Sequence, residues 1–248
     1  MKSPSPLTMI DFLTEELQLY NFRIKLANSI LTKKTGKCKT TKEYINLCSN
    51  IFRHIPLKYV GWPISPLQIE GELQILLNIL QKRNIRRMLE IGTASGGTLF
   101  LFAKILSPDS TIISLDLPEG KFGGGYKSFK IPFYMNFAEK NQQIHLLRYD
   151  SHLPSSLSKV RSILLRQKLD FLFIDGDHTY DGVKQDYLMY APLVRKGGLI
   201  VFHDICKHPP SWGCEVDKFW NEIKITHSHQ EIIDNPHQKM AGIGVLDT

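Results

Sequence analysis

From Ser65 onward the chain is a succession of short apolar runs, most of them followed by a stretch of helical periodicity, and few folds accommodate that rhythm. The runs are Arg87–Ile91, Thr111–Leu115, Ile144–Leu147, Asp170–Ile174, Gly198–Phe202, Gln230–Ile233 and Gly242–Leu246. Strands this short and apolar are buried on both faces, which requires helices above and below a mainly parallel sheet. A loop, not a helix, separates the last two runs, so they predict an antiparallel hairpin at the sheet edge. The expectation is a doubly wound, Rossmann-like α/β sheet of seven strands. Ser65-Pro66 predicts the start of the helix before the first strand, with Pro66 in its first turn and Leu73, Ile75, Leu76, Ile79 and Leu80 on one face.

Residues 1–62 follow a different pattern. Ile10, Phe12, Leu13, Leu17 and Tyr20 approximate one helical stripe, and Tyr44, Ile45, Leu47, Ile51 and Phe52 a second. The stretch from Ile55-Pro56 through Gly61-Trp62-Pro63 then punctuates the chain. The expectation is an N-terminal helical cap over residues 1–62, able to pair subunits into a homo-oligomer, followed by one domain over 63–248.

Composition removes several classes of function. No uninterrupted apolar run approaches the roughly 18 residues that span a bilayer, and Asp11, Glu15 and Glu16 spoil a secretory leader. Four cysteines (Cys38, Cys48, Cys206, Cys214) are too few for a disulfide scaffold in 248 residues, so a soluble protein in a reducing, cytoplasmic setting is expected. The net charge of +7 invites a nucleic-acid partner. However, the richest basic cluster, Lys33 to Lys39, has no interleaved aromatics for base stacking, which ranks RNA below a small-molecule substrate.

In an open α/β sheet, ligands bind beyond the carboxyl ends of the strands, so the residues after each run are the informative ones. After the first run comes Glu90-Ile91-Gly92-Thr93-Ala94-Ser95-Gly96-Gly97-Thr98, whose glycines permit positive φ and close backbone approach at a helix N-terminus. It lacks the Gly-Lys-Ser/Thr of a phosphate loop. Ala94 replaces the second glycine of a dinucleotide fingerprint, which counts against an NAD(P)-linked oxidoreductase. After the second run stands Asp116, suited to a ribose diol, and after the third Asp150-Ser151, placed to meet an adenine edge. Either acid is also common turn or N-cap chemistry.

This series, Glu90-x-Gly92-x-x-x-Gly96 followed by Asp116 and Asp150, resembles the cofactor site of class I S-adenosylmethionine-dependent methyltransferases. Ser65-Pro66-Leu67-Gln68 with Met88 to Thr93 is similar to the catechol-type O-methyltransferase branch. The segment from Phe173-Ile174-Asp175-Gly176-Asp177-His178 to Phe202-His203-Asp204 resembles the macrocin-type sugar O-methyltransferases and cephalosporin-hydroxylase-like proteins. The resemblance implies S-adenosylmethionine (SAM) as cofactor, held by Glu90, Gly92, Thr93, Ser95, Gly96, Asp116, Asp150, Ser151 and Asp175. It also implies O-methylation of a small hydroxylated molecule, a sugar or secondary-metabolite moiety.

Asp175 and Asp204 stand at the tips of two strands, and carboxylates on neighbouring strands about 4.8 Å apart can converge on one hard cation. By the same resemblance a divalent metal belongs at Asp175, His203 and Asp204, with Mg²⁺ first and Mn²⁺ or Fe²⁺ next. His203 departs from the acid usual there and Ile205 from the usual Asn. His178 and His203 are the candidate proton acceptors, with His178 preferred. His152, His208 and His227 read as surface residues, and the loop from Pro118 to Tyr126 reads as a lid or a linker. A protein that keeps the nucleoside pocket without turnover is the rival to catalysis. Trp62, Trp212 and Trp220 remain open between pocket and core.

Overall fold

The structure, a computed structural model, describes residues 6–51, 64–122 and 125–248, with side chains from residue 16 onward. Its elements are α1 (Pro6–Thr35), α2 (Thr41–Asn50), α3 (Glu70–Gln81), β1 (Arg87–Ile91), α4 (Gly97–Ile105), β2 (Thr111–Leu115) and α5 (Ile131–Met135). They continue with β3 (Gln143–Leu147), α6 (Pro154–Leu164), β4 (Leu169–Ile174), α7 (Tyr180–Tyr190), β5 (Val194–His203), α8 (Val216–Ile223), β6 (Ser228–Ile232) and β7 (Ile243–Asp247). The seven strands form one sheet in the order β3-β2-β1-β4-β5-β7-β6. The first five are parallel, while β7 runs antiparallel to both β5 and β6, so the expected edge hairpin is present.

Alternation along each strand divides the core into two layers. Met88, Ile112, Phe171, Phe173, Leu199 and Val201 pack under α2, α3 and α4, and α1 adds Ala27 and Leu31 to the same cluster. Leu89, Ile91, Ile113, Leu172, Ile174 and Ile200 pack against α6, α7 and α8. β4 is buried along its whole length, as a central strand covered on both faces should be.

Three expectations change. The helix predicted from Ser65-Pro66 begins at Glu70. The Ser65 carbonyl is taken by the Ser95 hydroxyl (2.6 Å), and Pro66 crosses directly over Gly97, where a Cβ would lie 2.3 Å from the Pro66 nitrogen. On the same helix Ile75 is exposed while Glu72 is fully buried, because Glu72 accepts hydrogen bonds from Asp234 N, Gln238 Nε2 and Gly242 N and so anchors the 234–242 loop. On α1 the buried face is Ile24, Ala27 and Leu31, with Leu17 exposed. The side chains of Ile10, Phe12 and Leu13, and the boundary from Ile55 to Pro63 with Trp62, lie outside the described residues. Among the described residues no helix is long and apolar enough to cross a membrane.

Candidate active site

Strand register places the site. Ile91 aligns with Leu115 on one side and Ile174 on the other, while Leu115 aligns with Leu147 and Ile174 with Phe202. The next residue of each strand therefore joins one row along the carboxyl rim: Arg148, Asp116, Gly92, Asp175 and His203. β1 lies between β2 and β4, where the winding direction reverses, and this is where such sheets open a crevice.

The crevice has two lobes. One, of about 230 Å³, is lined by Asp116, Leu117, Tyr149, Asp150, Ser151 and His152. The other, of about 440 Å³, is lined by Gln68, Thr93, Ser95, His178, His203, Asp204, His208, Trp212 and Cys214. Gly92, Ala94, Lys121, Phe122 and Asp175 belong to both. Gly92 sits at φ +88°, and a Cβ there would lie 1.9 Å from the Asp175 carbonyl oxygen, so only glycine lets the ends of β1 and β4 meet.

In the first lobe Asp116 is almost buried, and its Oδ2 accepts from the backbone N–H groups of Ala94 (3.1 Å) and Tyr126 (3.2 Å). Burial raises its pKa, and those hydrogen bonds only partly offset the effect. Asp150 accepts from His152 N (2.8 Å), an Asx turn ahead of α6 whose N-cap is Leu153, and it also faces the lobe. Two predicted cofactor residues stand one layer back. Glu90 lines neither lobe: it is fully buried and takes the Thr93 hydroxyl (2.8 Å), while Thr93 also bonds Ser114 Oγ (2.6 Å). Burial lifts Glu90 to a pKa of about 8, against hydrogen bonds from Thr98 and Thr93. Gly96, at φ +80°, lies against the Tyr134 ring and not against the crevice.

The second lobe concentrates titratable groups. His203 Nδ1 is 3.1 Å from Asp175 Oδ1 and 3.4 Å from Asp204 Oδ1. His178 bridges the same acids, with Nε2 3.6 Å from Asp175 Oδ1 and Nδ1 3.2 Å from Asp204 Oδ2. Gln68 donates to the other Asp175 oxygen (2.7 Å). Asp204 holds φ +63°, a strained backbone for a non-glycine residue and typical of functional sites. Burial would raise its pKa, but hydrogen bonds from His203 and His208 hold it well below the carboxylate range. Burial would lower His178, but Cys214, Asp175 and Asp204 outweigh it and raise the pKa.

Asp175, His203 and Asp204 present one ligand atom each within 4.8 Å of one another. The buried Nε2 of His203 has no hydrogen-bond partner. Two carboxylates and an imidazole at one rim are a donor set that fits Mn²⁺ or Fe²⁺ as well as Mg²⁺.

Several assignments need revision. His208, expected at the surface, is buried, with Nε2 3.1 Å from Asp204 Oδ1 and Nδ1 2.8 Å from the Cys206 carbonyl. Burial would lower its pKa, yet hydrogen bonds to Asp204 and Cys214 lift it to about 10. His152 lines the first lobe, and the Asp186 carboxylate 3.3 Å away lifts its pKa to about 9. His227 lines neither lobe and pairs only locally, with Thr226 Oγ1 and the Ile223 carbonyl. Asp177 caps the start of α7 through Thr179, which is turn chemistry. Trp212 stands at the mouth of the second lobe, whereas Trp220 is core. In the 118–126 loop Phe122 stacks on His178 at 4.9 Å, while Gly123 and Gly124 lie outside the described residues. Cys214, His208 and Asp186 carry no motif that would have marked them; only the folded chain brings Cys214 and His208 to the second lobe and sets Asp186, buried in α7, behind His152.

Known proteins place this geometry in context. Residues 89–205 match the family model described as a methyltransferase domain. An uncharacterized protein of Acanthamoeba polyphaga mimivirus is 35% identical over 134 residues, covering 53% of this chain, and the chain spans only 57% of that relative. The O-methyltransferase TomG from Streptomyces achromogenes, solved with SAM, superposes with a TM-score of 0.52 at 19% identity over 83% of this chain and 90% of its own. The O-methyltransferase from Bacillus cereus, solved with SAH, gives 0.51 at 18% over 91% of this chain and 100% of its own. At such identities these two structures speak for the fold. The matched segment runs from β1 to the residue after Asp204, and over it the chain resembles a methyltransferase domain on a doubly wound, Rossmann-like sheet.

Proposed function

We propose that the protein is a SAM-dependent O-methyltransferase that acts, with a divalent cation, on a small hydroxylated molecule such as a sugar or secondary-metabolite moiety. The observation that carries this is the shared rim: Asp116 and Asp150 on one side of Gly92, and Asp175, His178, His203 and Asp204 on the other, in two lobes that communicate. Gly92, Thr93, Ser95, Asp116, Asp150 and Ser151 would hold the cofactor, and Asp175, His203 and Asp204 the cation. When bound, the cofactor supplies an electrophilic methyl group and the cation acidifies the acceptor hydroxyl.

The remaining work falls to side chains. Methyl transfer needs an oxygen in line with the methyl group and a group to take its proton. His178 lines the second lobe beside both acids, and Phe122 packs flat on its ring, fixing the imidazole where a hydroxyl between the lobes would meet it. Gln68 and His208 hold the two carboxylates in place. Trp212 and Met240 give the mouth an apolar border for the acceptor.

Calorimetry with SAM, paired with product formation across hydroxylated acceptors with and without EDTA, tests the proposal. The wild type should bind SAM, and Asp116→Ala should lose at least about tenfold in affinity, the scale of hydrogen bonds to a charged group. Asp204→Asn should bind SAM as the wild type does while turnover falls about 100-fold or more. Absence of SAM binding by the wild type would overturn the proposal; binding without product from any acceptor would leave the non-catalytic nucleoside-binding reading in its place.

A further inference from the structure

We propose that His178, Asp204 and Cys214 form a second cation site, selective for a thiophilic divalent ion of the Zn²⁺ type, beside the Asp175–His203–Asp204 cluster and sharing Asp204 with it. One ligand atom from each of the three lies within 4.8 Å of the others, and His178 Nδ1 is 3.2 Å from Asp204 Oδ2. Zinc bonds of 2.0–2.3 Å in a tetrahedron set ligand atoms about 3.3–3.8 Å apart, so small side-chain shifts close the site.

The two oxygens of Asp204 face different neighbours. Oδ1 points to His203 and His208, and Oδ2 to His178, which is the arrangement of a carboxylate able to serve two ions. The donor sets also differ in chemistry. The inner cluster is two carboxylates and one imidazole, whereas the outer one includes a thiol sulfur, and sulfur donors select Zn²⁺ over Mg²⁺. His208 stands on the other side of Asp204, with Nε2 3.1 Å from Oδ1 and accepting from Ala241 N–H (3.2 Å), so the outer ion would take three protein ligands and leave its fourth position to water.

The backbone holds these loops together without an ion. Glu215 N–H donates to the His178 carbonyl (2.7 Å), joining the Cys214 loop to the turn before α7. Cys206 N–H donates to the Ala241 carbonyl (2.9 Å), which fixes the segment after Asp204. Cys214 also lines the second lobe, so an ion has a path from solvent. An ion here would fix the His178 ring and withdraw it from proton transfer, though the binding itself is independent of the methyl-transfer proposal.

Titration of the metal-free full-length protein with Co²⁺, followed by Zn²⁺, tests the site. The wild type should develop near-ultraviolet sulfur-to-cobalt charge-transfer absorption that saturates with one ion and is bleached by equimolar Zn²⁺. Cys214→Ser should abolish the band, and His178→Gln should weaken Co²⁺ binding about tenfold or more. Cys206→Ser and Asp175→Asn should keep the band, and circular dichroism confirms that each variant is folded. No band in the wild type, or a band that survives Cys214→Ser, would overturn the proposal and leave a plain hydrogen-bond network.

Discussion

The two lobes of the crevice are built in different ways. Around Asp116 the groups are set by main chain: a glycine turn, backbone N–H donors to one carboxylate, and a buried Glu90 that steadies Thr93 from behind. Around Asp204 they are set by side chains, with three histidines, two acids, a glutamine and a cysteine arriving from the end of β5 and from loops elsewhere in the chain. A main-chain site is specified by a local pattern and tolerates side-chain drift. A side-chain cluster depends on each loop being held, and it collects the perturbed charges. Where the two meet, at Gly92, both should fail together.

Gly92→Ala is therefore the most damaging single change. The added methyl group would sit 1.9 Å from the Asp175 carbonyl oxygen at a backbone φ of +88°, so β1 and β4 would have to part at the rim. The expected loss exceeds about 4 kcal/mol, in the range reserved for core and backbone conflicts, and urea denaturation measures it. A variant with the wild-type midpoint would show that the close approach is dispensable and that the lobes are independent.

Glu90→Gln separates the layer behind the turn from the turn itself. Burial first, against hydrogen bonds from Thr98 and Thr93, holds Glu90 at a pKa of about 8, above its ordinary value of 4.5. The folded state thus binds this proton more tightly than the unfolded chain. Stability should fall as pH rises from about 4.5 to about 8 and then level off. At about 1.4 kcal/mol per pKa unit the full cost is on the order of 5 kcal/mol as an upper limit. Glutamine keeps an acceptor for Thr93 and carries no charge. The variant should be flatter with pH and, above pH 8, more stable than the wild type by about 2–3 kcal/mol, a smaller effect than that at Gly92. Thermal melts between pH 5 and 9 measure it, and parallel curves for the two proteins would remove Glu90 as a neutral buried acid.

How far each lobe can be read from the chain follows from the same difference. The apolar runs predicted the sheet because central strands buried on both faces need that composition, although the edge strand β6 is exposed except at Ile232, and the strand ends gave Asp116, Asp175, His203 and Asp204 because register aligns them. The functional order of those acids came from the resemblance. Glu90 and Gly96 belong to the same pattern but stand behind the surface of the crevice, since a pattern records which residues are required and not which surface they face. The helix expected at Ser65-Pro66 was displaced by tertiary contacts with Ser95 and Gly97, which no local propensity contains. His208, Cys214 and Gln68 were illegible as site residues for a simpler reason: each sits in irregular chain, and only the folded loops bring them within reach of Asp204 and Asp175.

Phe122→Leu is the mildest test and the one that asks whether the lobes work together. The Phe122 ring lies 4.9 Å from the His178 imidazole and 10° from parallel, and it borders both lobes. Stacked aromatic pairs contribute about 0.5–1.5 kcal/mol beyond their buried area, equivalent to about a two- to tenfold change in rate if spent on orienting His178. Leucine keeps the apolar bulk and removes the stack, while Phe122→Trp keeps both. If the ring aligns His178 for proton transfer, Leu should lower kcat two- to tenfold with SAM affinity unchanged, and Trp should stay near the wild type. If the ring only walls off the first lobe, SAM affinity should move in both variants and kcat in neither. A drop in kcat shared equally by Leu and Trp would assign the effect to shape, and would leave His178 without an orienting stack from the loop that follows Asp116.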